Sequence, residues 1–447
     1  MDQHLADLAD HLLRAAKAAG ADAADTLVVD GTSLSVEVRA GALEHAERAE
    51  GTDLGLRVFV GQRQACVSIS DTSDGAIEAM ADRAVSMARE APEDPFCGLA
   101  GEAELATHWD VAALELADAV DPTPSELEAR ALTAEAAALA VKGVAQTQGA
   151  GATYGRTQRV LATSNGFIGG YERSAHSTHC VAISGEGLGM ERDHAGESRA
   201  FAADLPDAAE IGTLAGQRAA DRAGATRPPT GAFPVLFDER ISGSLIGHLV
   251  SAINGSAITR GASFLKDALG DRVLPKGLNL TEDPFRARIR GSKPFDGEGL
   301  PVARRALVED GILQGWILDL ATGRKLGLAS TANASRGVGA PPMPSVGNLE
   351  LTPGVDTRDD LIAQMGTGLI VTSMIGSTIN LNTGDYSRGA AGVWVENGEV
   401  IGPVNECTIA GNLRDMLASM TPANDAQAHL SRVVPSLLVE GLTIAGT

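Results

Sequence analysis

Met365–Leu413 reads MGTGLIVTSMIGSTINLNTGDYSRGAAGVWVENGEVIGPVNECTIAGNL. The run Gly368-Leu-Ile-Val-Thr372 has strand character. It leads into a turn-rich segment, Thr383-Gly-Asp-Tyr-Ser-Arg-Gly389. Two further apolar runs, Ala391–Val395 and Glu399–Val404, flank Glu396-Asn-Gly398. Asn-Gly between apolar runs is the strongest short-range hairpin signal, because both turn residues tolerate positive φ. The spacing therefore predicts an antiparallel β unit. Its glycine-flanked loop carries a carboxylate, a phenol, a hydroxyl and a guanidinium at Asp385, Tyr386, Ser387 and Arg388.

Upstream, a helical repeat of leucines with interleaved charges predicts an amphipathic surface helix over Met1–Gly20. Alternating runs at Thr26–Val29, Ser33–Val38, Leu54–Val60 and Gln64–Ser70, punctuated by Gly31, Gly41, Gly51 and Gly61, predict an antiparallel meander. Helices are expected at Ser73–Glu90, Thr123–Val141 and Pro206–Arg222. A second β region is expected over Gly143–Ala203. Gly224-Ala-Thr-Arg-Pro-Pro-Thr-Gly231 is the best linker. The expected class is α+β in two domains. Residues 1–225 form an N-terminal α/β sandwich-like domain with antiparallel strands. Residues 226–447 form a mostly antiparallel-β domain with a few helices.

With 447 residues, two domains are the natural division. Only 3% of residues are aromatic, so Ala, Val, Leu and Ile must build the cores. A formal charge of −22 argues against binding nucleic acid or an anionic membrane. No apolar run reaches the ~20 residues of a membrane span. Cys66, Cys97, Cys180 and Cys407 are sparse and form no CxxC pair, as in a reduced, cytoplasmic protein. There is no Walker A sequence. Gly185-x-Gly-x-Gly189 lies inside a β region and reads as a turn.

Several ordered blocks resemble the TldD/TldE (PmbA) metalloprotease family, in particular its TldE (PmbA) branch. They are Gly247-His-Leu-Val-Ser-Ala-Ile-Asn-Gly255, Pro294-Phe-Asp-Gly-Glu-Gly-Leu300, Arg324-Lys-Leu-Gly-Leu328, Thr383–Ala390, Trp394–Glu399, Thr408–Leu413 and Leu442–Gly446. The resemblance implies that the catalytic branch carries His-Glu-x-x-x-His on a helix, two zinc ligands with a glutamate that activates water. At the matching positions this chain has Gly247 and Ala252 for the histidines and His248 for the glutamate. Glycine and alanine offer no ligand atom, so the expectation is no catalytic residue and no metal or other cofactor in this chain. Zinc is then expected in a TldD-like partner.

What the resemblance implies is a TldE-like, non-catalytic subunit of a cytosolic peptidase. It would pair with a TldD-like metalloprotease subunit and act on peptides or small unfolded proteins. His248, Ser251, Asp385, Tyr386, Ser387 and Arg388 are its expected peptide- or partner-binding residues. An alternative is a homodimeric peptide-binding or chaperone-like module without protease activity, and an isolated chain could also pair with itself. A third reading is a hydrolase built on His248 and Cys407. His429 is the nearest candidate second ligand for His248, although two donors fall short of the three a catalytic zinc needs. His176, His179 and Cys180 are expected as solvated strand residues, with His194 on a neighbouring strand.

Overall fold

The computed structural model describes residues 2–447; Met1, where the first helix was expected to begin, lies outside them. Helix α1 (Gln3–Ala18) starts at Asp2, whose side chain accepts from the Leu5 amide, and buries Leu5, Leu8 and Leu12. Strands β1 (Ala23–Arg39), β2 (Ala42–Val60) and β3 (Arg63–Ile69) follow, then helix α2 (Asp74–Glu90). The same order recurs in helix α3 (Pro124–Leu139), strands β4 (Val144–Thr163), β5 (Ile168–Ser184) and β6 (Glu191–Arg199), and helix α4 (Ala208–Ala220). Thr123 and Glu126 close a capping box that fixes the start of α3.

The expected meander and the second β region are not separate. They form one antiparallel sheet in the order β3-β2-β1-β4-β5-β6. The seam is β1 against β4, in register from Asp25↔Thr163 to Val38↔Ala150. Gly31 does not break β1, because it sits between paired strands opposite Thr157 and Gly51. Even-numbered β1 residues (Val28, Leu34, Val36, Val38) are buried beneath the helices, α1 and α2 over one half of the sheet and α3 and α4 over the other. Strand alternation turns Leu27, Ser33 and Ser35 to the opposite face, where they line a cleft against the C-terminal half. His176 and Cys180 share the helix-covered face and are buried, not solvated, because α3 and α4 close over β5.

The C-terminal half opens with β7 (Gly231–Phe237) and helix α5 (Glu239–Ala252). Strands at Gly368–Ile379, Asp385–Glu396, Glu399–Asn412 and Leu437–Ala445 complete its main sheet. The sheet closes on itself, since Glu399–Asn412 also pairs with Leu437–Ala445. Pairing is antiparallel throughout except between β7 and Gly368–Ile379. The Asn-Gly turn forms as expected, with φ of 53° at Asn397 and 78° at Gly398. Asp385–Arg388 is not a loop. The turn is confined to residues 380–384, and Asp385 already pairs with Asn412. Among the described residues, no helix is long and apolar enough to cross a membrane.

The two halves meet through a charged cluster that is almost dry. Asp25, on β1, takes hydrogen bonds from both Arg57, on β2, and Arg336, from the C-terminal half. Their side chains are 1%, 4% and 1% exposed. Burial opposes ionisation of Asp25, but Arg336 and Arg57 outweigh it and hold its carboxyl below the usual range. Beside the cluster, Gly55 approaches the Val338 backbone so closely that a Cβ would collide with it. The Pro294–Leu300 block is part of the same seam. Asp296 accepts from the amides of Glu298, Leu300 and Ala334, and Glu298 accepts from Leu320 at 2.9 Å. Burial and the neighbouring Asp296 push the Glu298 carboxyl up to about 8, against the pull of Arg57.

Because the folded state holds that proton above the ordinary value of 4.5, folding stability falls as pH rises from 4.5 to 8, by up to about 1.4 kcal/mol per unit. Glu298→Gln keeps the acceptor for Leu320 and removes the titration. The variant's melting temperature should exceed that of the natural chain at alkaline pH and converge with it near pH 5. A pH-independent difference contradicts this.

Candidate functional site

Helix α5 is the natural place to look for chemistry. Asp238 caps its start, accepting from Arg240. Leu245, Leu249 and the C-cap residue Ile253 are buried, with Ile241 packed against the same core. That stripe seats the helix and leaves Gly247, His248 and Ser251 on another flank.

His248 is half-buried, its ring edge-on to Tyr386 with centroids 5.8 Å apart. Among the described residues its Nε2 has no hydrogen-bond partner. Burial, then the nearby Arg388, lowers its pKa below 6.5, so the imidazole is neutral at physiological pH. Tyr386 is 2% exposed and donates to the Met374 sulfur at 3.2 Å. Burial pushes its phenol up to about 12. Arg388 donates through Nε to the Gly376 carbonyl at 2.7 Å. Strand alternation groups Tyr386 and Arg388 with His248 and sends Asp385 and Ser387 to the other face. Asp385 is occupied closing the turn, accepting from Thr383 at 2.6 Å and from Asn412 at 3.4 Å. Ser251 is exposed and bonds back to the Gly247 carbonyl at 2.8 Å. The six expected residues therefore divide. Three converge beside α5 and the other three do not join them.

A zinc ion does not fit this flank. The guanidinium of Arg432 lies 3.2 Å from where a Cβ on Gly247 would stand. Ala252 is completely buried. With Arg388 close to His248, two cations flank the face on which a divalent cation would have to sit. Among the described residues, no three His, Cys, Asp or Glu side chains are grouped to hold a metal ion. His429 does not complete a pair with His248. It lies in the cleft between the two halves, with Nε2 3.4 Å from Glu197. Cys407 is buried, donates to the Ala390 carbonyl at 3.2 Å and has its thiol raised to about 11. A buried thiol that donates to a backbone carbonyl lacks the cation or helix N-terminus that activates a nucleophilic cysteine, so the site does not favour a His248–Cys407 hydrolase.

A larger opening lies elsewhere. A cleft of about 1190 Å³ runs between the uncovered face of β1, β4 and β5 and the C-terminal loops. Leu430 and Ser431 join it to a smaller depression of about 520 Å³ that reaches Ser244, Arg388 and Arg432 beside α5. The sequence reading missed this cleft because its two walls are far apart in the chain, the nearest lining residues being Ala200 and Arg288. The one available signal was the strand alternation that leaves Ser33, Ser35, Thr153 and Ser177 polar on a face without helices.

If Arg388 supplies the positive field at His248, Arg388→Gln should raise the His248 pKa toward 6.5, as followed by an NMR titration of its ring protons. The natural chain should also lose stability as pH falls below 6.5, where the unfolded histidine takes up a proton that the folded one resists. An unchanged titration in the variant contradicts the assignment.

Three family models cover the chain in order. PmbA/TldA metallopeptidase domain 1 matches residues 24–88, the central domain 117–227 and the C-terminal domain 230–446. The first two divide the N-terminal sheet into its two halves. The metalloprotease PmbA of Escherichia coli O157:H7 is 35% identical over 427 residues, covering 95% of this chain and 92% of that protein. The PmbA homologue of Haemophilus influenzae is 34% identical, covering 100% and 97%. Among solved structures, a protein of Bacteroides thetaiotaomicron described as a candidate modulator of DNA gyrase superposes with a TM-score of 0.92 at 26% identity, covering all of both chains. TldE of Thermococcus kodakarensis superposes at 0.85 and 19% identity, covering 98% of this chain and 100% of its own, a likeness of fold. With three models in sequence and relatives matched along more than nine-tenths of their length, the chain belongs to the PmbA/TldD (PmbA/TldA) metallopeptidase family, in its PmbA branch.

Proposed function

We propose that this chain is the non-hydrolytic, TldE-like subunit of a cytoplasmic TldD/TldE-type peptidase. In this reading it shapes the peptide-binding cleft while a TldD-like partner holds zinc and cleaves. The observation that carries the reading is the flank of α5. Where the family resemblance calls for two imidazoles and a carboxylate, the chain has Gly247, Ala252 and His248, with the Arg432 guanidinium beside Gly247. Catalytic zinc needs three protein ligands and an open position. A glycine, a buried alanine and one cation-flanked imidazole do not supply them.

What remains is a scaffold suited to binding. The long cleft is walled by strands and glycine-bearing loops, and an extended peptide can lie along such a surface. Arg388 and Arg432 line its smaller arm and make that wall cationic, with the neutral His248 ring packed against Tyr386 nearby.

The test uses the purified chain alone, a TldD-like partner alone, and the two mixed. Light scattering reads assembly, and cleavage of an unstructured peptide, with and without chelator, reads activity. The expected result is a heterodimer, with cleavage only when the partner is present and abolished by chelator. Chelator-sensitive cleavage by this chain alone would overturn the proposal. A stable homodimer that ignores the partner would favour the peptide-binding module instead.

A further inference from the structure

The overall charge of this chain hides a local reversal. It carries −22, yet the deep part of the cleft between its halves is cationic. Arg159 from β4, Arg173 from β5, and Arg290, Lys293 and Arg336 from the C-terminal half all line it. Among the described residues, none of Arg159, Arg173, Arg290 or Lys293 has a carboxylate within the 4.0 Å of an ion pair. Arg173 donates instead to the carbonyls of Arg290 and Ser292.

The two carboxylates in the lining do not balance these charges. Glu197 is held by Arg199 at 2.6 Å and lies 3.4 Å from His429. Asp296 faces the field of Lys293, but its oxygens are taken by the amides of Glu298, Leu300 and Ala334, and it is one carboxylate against the several cations of the lining. Asp25, beneath the floor, is shared between Arg57 and Arg336 and leaves one positive charge over.

Arg336 is the decisive group. Its side chain is 1% exposed, and only Nη1 reaches Asp25. Nε and Nη2 have no hydrogen-bond partner among the described residues, and neither does Nε of Arg159. Buried guanidinium N–H groups without acceptors are costly, and a ligand oxygen at this edge would relieve that cost. Tyr171 packs within the same cationic group. It lies between Arg159 and Arg173, whose guanidinium carbons are 5.3 and 5.1 Å from its ring centroid. Burial alone would raise its phenol, yet these two cations bring it below its usual range.

We propose that this cleft is an anion-binding site that takes carboxylate groups of an acidic peptide segment, with the free edge of Arg336 at the bottom and Arg159 and Lys293 on the walls. Planar guanidinium edges match carboxylates in two-point contact. Leu27, Leu161 and Phe295 stand among these cations in the lining and suit the aliphatic stem of a glutamate. The cleft exceeds the roughly 300–1,000 Å³ of a small-molecule pocket, which favours an extended chain over a metabolite. Low-dielectric walls focus the field of such a cleft and draw acidic segments toward it despite the negative exterior. The proposal deepens the subunit reading by naming a substrate class. Its test uses the isolated chain without any hydrolysis, so the two readings can fail separately.

The test is fluorescence anisotropy of the full chain with a labelled, unstructured nonapeptide bearing three glutamates, and with its glutamine counterpart. Each peptide is made with a free and an amidated carboxyl terminus. The glutamate peptide should bind about tenfold or more tightly than the glutamine one, and added salt should weaken it. Arg159→Gln and Lys293→Gln should each weaken binding severalfold with an unchanged melting temperature. Loss on amidation would place the recognised carboxylate at the chain terminus, and retention would place it on side chains. Equal affinity for both peptides, or indifference to both substitutions, overturns the proposal. Tighter binding of a single-stranded oligonucleotide of equal charge also overturns it.

Discussion

The architecture depends on one buried ion cluster. Asp25 projects from the first strand and is gripped by Arg57 of the same sheet and by Arg336 of the opposite half. Burying three charges carries a large desolvation cost, and losing one partner leaves the others uncompensated. The cluster is therefore stable only when both halves are docked, and it fixes where they dock. The close pass of Gly55 against Val338 and the neutralised Glu298 beside Arg57 belong to the same joint. Because the joint fixes the C-terminal loops against the uncovered face of the N-terminal sheet, it also sets the width of the cleft.

In the proposed reading, binding and chemistry are separated. The flank of α5 carries Gly247, His248 and Ala252, with the Arg432 guanidinium beside Gly247. The cleft, by contrast, is large, polar and continuous with that flank through Leu430 and Ser431. A family scaffold with a polar cleft but no donor atoms at Gly247 and Ala252 is the physical basis of the proposed subunit role.

Much of the fold was legible in the sequence because its signals are local. The Asn397-Gly398 turn and the start of α3 beside Pro122 and Pro124 are each fixed within a few residues. The β1–β4 seam was not legible, since it joins positions about 130 residues apart and each strand alone reads as an ordinary edge. Asp385–Arg388 was misread as a loop because Gly384 and Gly389 flank it. Pairing with both neighbouring strands overrides that local signal and makes these residues the start of a strand. That Gly247 and Ala252 offer no ligand atom is a matter of side-chain chemistry and needs no fold to state. The cationic cleft was hidden because net charge averages over the surface, whereas its arginines and lysine come from three separate stretches brought together by the Asp25 joint. His176 and Cys180 were expected in solvent for the same reason: nothing near them in sequence announces that α3 and α4 cover their face.

The central claim, that the chemistry of the family has left this chain while the scaffold remains, is tested most directly by equilibrium zinc binding to the isolated, metal-stripped chain, read as bound metal per chain after dialysis against micromolar zinc. The account predicts far less than one equivalent, with no change when His248 is replaced by alanine. One tightly bound equivalent that disappears in His248→Ala would contradict it.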